Sequence, residues 1–144
     1  MRNLKRMGAM MMALVLAFSL SVTAFAAVED TGFADVAADA WYAEAVEYVR
    51  DNGLMSGTSA TTFAPNDTMT RSMLATTLYR EAGSPAVSGG DAFTDTQEGA
   101  WYADAISWAA GEGIVSGYGD TFGPNDPITR EQLAAILYRL SLIH

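Results

Sequence analysis

Apolar residues along this chain fall into three textures. The first is an unbroken run from Met7 to Leu20, preceded by Arg2, Lys5 and Arg6 and followed by Ala24-Phe25-Ala26. A basic start, a short apolar run and an A-x-A site form the pattern of a secretory signal, cut after Ala26. The run is short for a membrane span, which needs about 20 apolar residues. The second texture has helical spacing. Trp41, Ala45, Tyr48 and Val49 share one stripe of a helix from Ala40 to about Asn52, as do Trp101, Ala105, Trp108 and Ala109 sixty residues later. A further helix is predicted after Thr70, with Leu74, Thr77 and Leu78 facing inward. Its counterpart after Thr129 turns Leu133, Ile136 and Leu137 inward. The third texture is the isolated apolar pair, Leu54-Met55 and Ile114-Val115, with the make-up of a minimal strand.

The same elements are written twice. Phe33-Ala34-Asp35 returns as Phe93-Thr94-Asp95, and Ala40-Trp41-Tyr42-Ala43 as Ala100-Trp101-Tyr102-Ala103. Ser56-Gly57 returns as Ser116-Gly117, all at an offset of 60. One extra residue between Thr58 and Thr62 then shortens the offset to 59. Phe63-Ala64-Pro65-Asn66-Asp67 pairs with Phe122-Gly123-Pro124-Asn125-Asp126, Thr70-Arg71 with Thr129-Arg130, and Leu78-Tyr79-Arg80 with Leu137-Tyr138-Arg139. Nearly half of the aligned positions are identical, so this is a duplication. The organisation expected is a signal over 1–26, a first repeat over 27–81, a Gly/Ser/Pro-rich linker over 82–91 and a second repeat over 92–144. Each repeat reads as helix, loop, helix, and the fold class expected is all-α. Gly53 and Gly113 stand where a helix end takes a left-handed residue. Phe-x-Pro-Asn-Asp is turn chemistry. Two short helices cannot bury a core alone, so the repeats should pack on each other. The phenylalanines and tryptophans would supply the apolar payload.

Charge narrows the function. Lys and Arg total 8 against 17 Asp and Glu, a formal net charge of −9. Loss of the signal removes three cations and no acid, leaving Arg50, Arg71, Arg80, Arg130 and Arg139. Nucleic-acid binding wants a basic face, and this chain is acidic. Cysteine is absent and the single histidine is His144, which excludes disulfide scaffolds, zinc clusters, cysteine nucleophiles and Ser-His-Asp triads. No cofactor is implied. Calcium would want a D-x-[DN]-x-[DN]-G loop, and none is present. Two carboxylates would suffice for a glycosidase. Glu44, Glu47 and Asp104, however, read as solvated helix faces, and the chain reads as no enzyme.

The arginines separate into two kinds. Arg80 and Arg139 end a helix, where a cation complements the macrodipole. Arg71 and Arg130 follow the N-caps Thr70 and Thr129, where a cation opposes it. An anion bound by free N–H groups and a guanidinium would explain a repeated arginine there. The rival explanation is an ion pair within the chain, to Asp35, Asp67, Asp95 or Asp126. Thr129 and Gln132 also make a capping box, whereas Thr70 and Met73 cannot.

Phe-x-Asp, Trp, Gly-Leu/Ile-x-x-Gly, Phe-x-Pro and Thr-Arg, in that order and twice over, resemble the S-layer homology (SLH) repeat. The residues are Phe33-Ala34-Asp35, Trp41, Gly53 to Gly57, Phe63-Ala64-Pro65 and Thr70-Arg71, and their counterparts Phe93-Thr94-Asp95, Trp101, Gly113 to Gly117, Phe122-Gly123-Pro124 and Thr129-Arg130. The resemblance implies a bacterial cell-wall or cell-surface anchor that binds secondary cell-wall polysaccharide, often a pyruvylated one. It implies a ligand-binding role for Thr70 and Arg71 and for Thr129, Arg130 and Glu131. Trp41, Trp101, Ser56, Gly57, Ser116 and Gly117 would line the same grooves. Ser72-Met73 and Gln132 depart from the Thr-Arg-Ala-Glu form of the motif. The family implies three units about a pseudo-threefold axis. Two are present here, so the third is absent, lent by another chain or outside this sequence. The alternative is a protein–protein module for envelope assembly that binds no glycan, with self-association as its mode.

Overall fold

The computed structural model describes residues 31–88 and 93–142; the expected signal over 1–26 lies outside the described residues, as does part of the linker. Among the described residues four helices follow one another: α1 (Ala43–Asp51), α2 (Arg71–Glu81), α3 (Ala103–Gly111) and α4 (Arg130–Ser141). The fold is all-α, one helix–loop–helix per repeat. Strand character among the described residues is limited to two isolated bridges, Thr70 with Pro127 and Tyr118 with Thr121. Leu54-Met55 and Ile114-Val115 form no strand, for a local reason. The N–H groups of both Leu54 and Met55 donate to the Val49 carbonyl, at 2.8 and 3.0 Å, and those of Ile114 and Val115 to Ala109, at 2.8 and 3.1 Å. These donors close the preceding helix and are lost to a ladder. Gly53 and Gly113 make the turn with φ of 68° and 69°.

Helix starts follow the capping chemistry. The Thr70 hydroxyl accepts from the Met73 N–H at 3.2 Å. Thr129 accepts from Gln132 at 3.3 Å, and the Gln132 side chain returns the bond to the Thr129 N–H at 3.2 Å, a complete capping box.

Packing departs from the expected stripes. In α3, Ala105, Ile106 and Ala109 are buried, because α2 packs against this face. In α1 the buried residues are Ala43 and Val46, while Ala45 and Tyr48 face solvent. Among the described residues α2 on α3 is the only packed helix pair, so no helix covers α1. Trp41 and Trp101 precede their helices and are 92% and 60% exposed, which removes them from the core. Trp108 does pack at its edge, with Tyr79 at 5.7 Å between ring centroids.

The main core joins both repeats: Leu74 and Ala75 from α2, Ile106 and Ala109 from α3, Ile136 from α4, and Ile114, Val115 and Phe122 between them. Phe33, Val36, Ala43 and Val46 form a smaller cluster in the first repeat. The phenylalanines pair as their repetition suggested, Phe33 with Phe63 and Phe93 with Phe122, each at 5.4 Å between centroids.

Candidate functional site

Each repeat carries a loop built by the aspartate of Phe-x-Asp. The Asp35 carboxylate accepts from the N–H groups of Phe63 and Ala64, at 2.8 and 2.7 Å. Asp95 does the same for Phe122 and Gly123, at 2.7 and 2.8 Å. Both carboxyls are held below the ordinary aspartate range. At Asp35 the Phe63 N–H is the main cause. At Asp95 burial pushes upward, and the Phe122, Gly123 and Asp95 N–H groups with the Arg71 charge outweigh it. The glycine of Ser-Gly belongs to the same construction. A Cβ on Gly57 would stand 2.6 Å from both Phe33 Cε1 and the Thr62 carbonyl, and Gly117 meets Phe93 and Thr121 in the same way. Gly57 and Gly117 are therefore beds for an aromatic ring.

Arg71 is 5% exposed. Its Nε donates to the Phe122 carbonyl at 2.9 Å and its Nη2 to the Ser116 carbonyl at 2.8 Å. The guanidinium carbon lies 4.5 Å from the Phe122 ring centroid and 4.8 Å from that of Tyr118. The backbone N–H groups at the start of α2 are engaged as well: Arg71 with Asp126 O at 2.8 Å, Ser72 with Pro124 O at 3.1 Å. Arg71 is thus a plug from the first repeat in a carbonyl socket of the second. Neither an open anion pocket nor an ion pair within 4 Å forms at this helix start. The only ion pair among the described residues is Arg50 with Asp51, at 2.7 Å.

Arg130 is the repeat counterpart of Arg71 and differs from it sharply. Arg130, Glu131 and Thr129 are exposed, and no acceptor among the described residues meets the Arg130 guanidinium or the Arg130 and Glu131 N–H groups.

A separate open groove of about 560 Å³ lies along the first repeat's loop and α2. Its floor is the first repeat's loop, with Ser56, Gly57, Phe63 and Pro65; Trp101 of the second repeat lines it too, and α2 contributes Thr76 and Arg80. Arg80 Nη1 donates to the Leu54 carbonyl at 3.2 Å and to the Ser56 hydroxyl at 3.4 Å, so the cation faces the turn. The Thr76 hydroxyl is the buried side-chain polar atom left without a partner among the described residues.

Of the residues expected to bind, the groove gathers Ser56, Gly57 and Trp101. Trp41, Thr70, Arg71, Ser116, Gly117, Thr129, Arg130 and Glu131 lie outside its lining. Sequence reasoning passed over Arg80 and Thr76. The repetition of Arg80 as Arg139 is the available signal, although a cation at a helix end also complements the macrodipole. Among the described residues no group of three metal-ligating side chains occurs, and no helix is long and apolar enough to cross a membrane.

Comparison with known proteins gives the sequence a family. Residues 32–72 and 92–134 match the family model of the S-layer homology domain. The chain belongs to that family. It is 36% identical over 115 residues to the surface-layer 125 kDa protein of Lysinibacillus sphaericus, covering 76% of this chain and 10% of that protein. It is 31% identical over 106 residues to the S-layer protein sap of Bacillus anthracis, covering 73% and 13%. An amylopullulanase of Thermoanaerobacterium thermosulfurigenes is 34% identical over 116 residues, covering 80% of this chain and 6% of that enzyme. The chain thus spans a small fraction of the length of each.

Proposed function

We propose that this chain is an exported, non-catalytic module that holds to the bacterial cell wall by binding an anionic secondary polysaccharide in the groove between its repeats. The observation that carries the reading is the groove itself, lined together by an exposed indole, Trp101, a turn of small residues, Ser56-Gly57, and the Arg80 cation bonded to that turn. An indole face stacks on a sugar ring. A guanidinium is a planar donor suited to a carboxylate such as a pyruvyl group. The exported chain keeps five cations against 17 acids, an excess larger than the full sequence's −9, and repels an anionic polymer at long range, so recognition must be made by local contacts. Arg71 supports the groove from within the protein, as the plug that joins the repeats. The enzymes among the relatives carry their chemistry in names that belong to them; the reading for this chain is anchoring alone.

Co-sedimentation with purified cell walls tests it. The chain should pellet with walls bearing the polysaccharide and stay in solution with walls stripped of it. Trp101→Ala and Arg80→Gln should each release most of the bound protein while circular dichroism keeps its helical signal. Undiminished pelleting of the double variant would overturn the assignment of the groove.

A further inference from the structure

From residue 27 onward the sequence holds three methionines, Met55, Met69 and Met73, and all three line the groove. None is repeated: the corresponding residues of the second repeat are Val115, Ile128 and Gln132. The second repeat builds the same turn and the same helix start without sulfur, so the fold gives no reason for thioethers at these places. Met73 is 37% exposed; Met55 and Met69 are half-buried, and Met69 packs on the main core. Met73 stands on the stripe of α2 that carries Thr76, Thr77 and Arg80 along the groove.

We infer that the groove carries a methionine-oxidation site, Met73 foremost, and that a peroxide reaching it weakens the hold on the ligand. The inference rests on the groove being the polysaccharide site. The sequence has no cysteine, so a thioether is the softest group it offers an oxidant. The step is a two-electron oxygen transfer. The Met73 sulfur attacks one oxygen of hydrogen peroxide, an S–O bond forms as the O–O bond breaks, and the second oxygen leaves as water. The thioether is oxidised to a sulfoxide and the peroxide is reduced. An apolar contact surface then becomes a polar one whose oxygen carries negative charge and repels a carboxylate. The backbone bonds of Met73 do not involve the sulfur: its N–H donates to the Thr70 hydroxyl, and its carbonyl accepts from that of Thr77. The helix start therefore survives the change.

Co-sedimentation titrations of the exported chain with purified walls test it, before and after dilute hydrogen peroxide, with peptide mass spectrometry to locate the added oxygen. Met73 should gain oxygen first, because exposure sets the order. Apparent affinity should then fall about tenfold, the cost of setting one polar group against an apolar surface, while circular dichroism keeps its helical signal. Methionine sulfoxide reductases A and B together should restore binding, which they could not do for an oxidised Trp101. In Met73→Leu, compared with itself before and after peroxide, most of the fall should disappear. An untreated chain that does not bind walls would overturn the groove reading, and this inference with it. Equal binding before and after oxidation of Met73, an undiminished fall in Met73→Leu, or no recovery with the reductases would overturn this inference alone.

Discussion

Arg71 and Arg130 are the same residue in sequence logic and opposites in environment. Arg71 is buried with two carbonyl acceptors from the other repeat, whereas Arg130 is exposed. Hydrogen bonds to a charged group contribute about 1.5–3 kcal/mol each. Arg71→Ala should therefore lower unfolding free energy by roughly 2–4 kcal/mol in urea titration. Arg130→Ala, measured at low protein concentration, should change it by less than about 0.5 kcal/mol. The sequence showed that an arginine at a helix start needs a reason beyond the helix. It did not show the acceptor, because a carbonyl is common to every residue and leaves no mark in composition. Asp35 and Asp95 teach the same lesson: they looked like partners for arginine and instead hold backbone N–H groups. Their carboxyls are lowered in the folded state, so the stability they contribute is present above the ordinary aspartate range and is lost as pH falls through and below it. Asp35→Asn and Asp95→Asn should each flatten the acid limb of a thermal-midpoint-against-pH curve. The effect should be larger at Asp95, which binds the N–H of buried Phe122.

At the scale of elements, helices, caps and turns were legible, because each is decided by residues within a few positions. Thr70, Thr129 and the Gln132 capping box behave as their local chemistry requires. The α1 stripe was not legible, since which face is buried depends on a neighbour that periodicity cannot name. The Phe-x-Pro turn offers a test between the repeats. Its second residue is left-handed in both, Ala64 at φ 59° and Gly123 at φ 69°. Left-handed backbone costs a non-glycine residue about 1–2 kcal/mol, part of which glycine returns through unfolded-state entropy. Ala64→Gly should raise stability by about 0.5–1 kcal/mol. Gly123→Ala should lower it by at least about 1 kcal/mol, because the new Cβ also runs into the Asp126 carboxylate. Differential scanning calorimetry of the two variants should show midpoint shifts of opposite sign.

At the scale of the molecule, duplication and family were written plainly, since five motifs recur in order over nearly the whole described chain. The groove was only partly so. Trp101, Ser56 and Gly57 were named, but Arg80 and Thr76 reach the groove from a helix that packing alone orients. The proposed role of this groove is to read a carboxylate-bearing wall polymer. It is tested most directly by isothermal titration of the exported chain with purified polysaccharide, native and with its pyruvyl groups removed. Binding to the native polymer should be saturable, and at least about tenfold weaker once the carboxylate is gone, the loss expected for one charge-assisted contact. Equal affinity for the two polymers, or none for the native one, would contradict it.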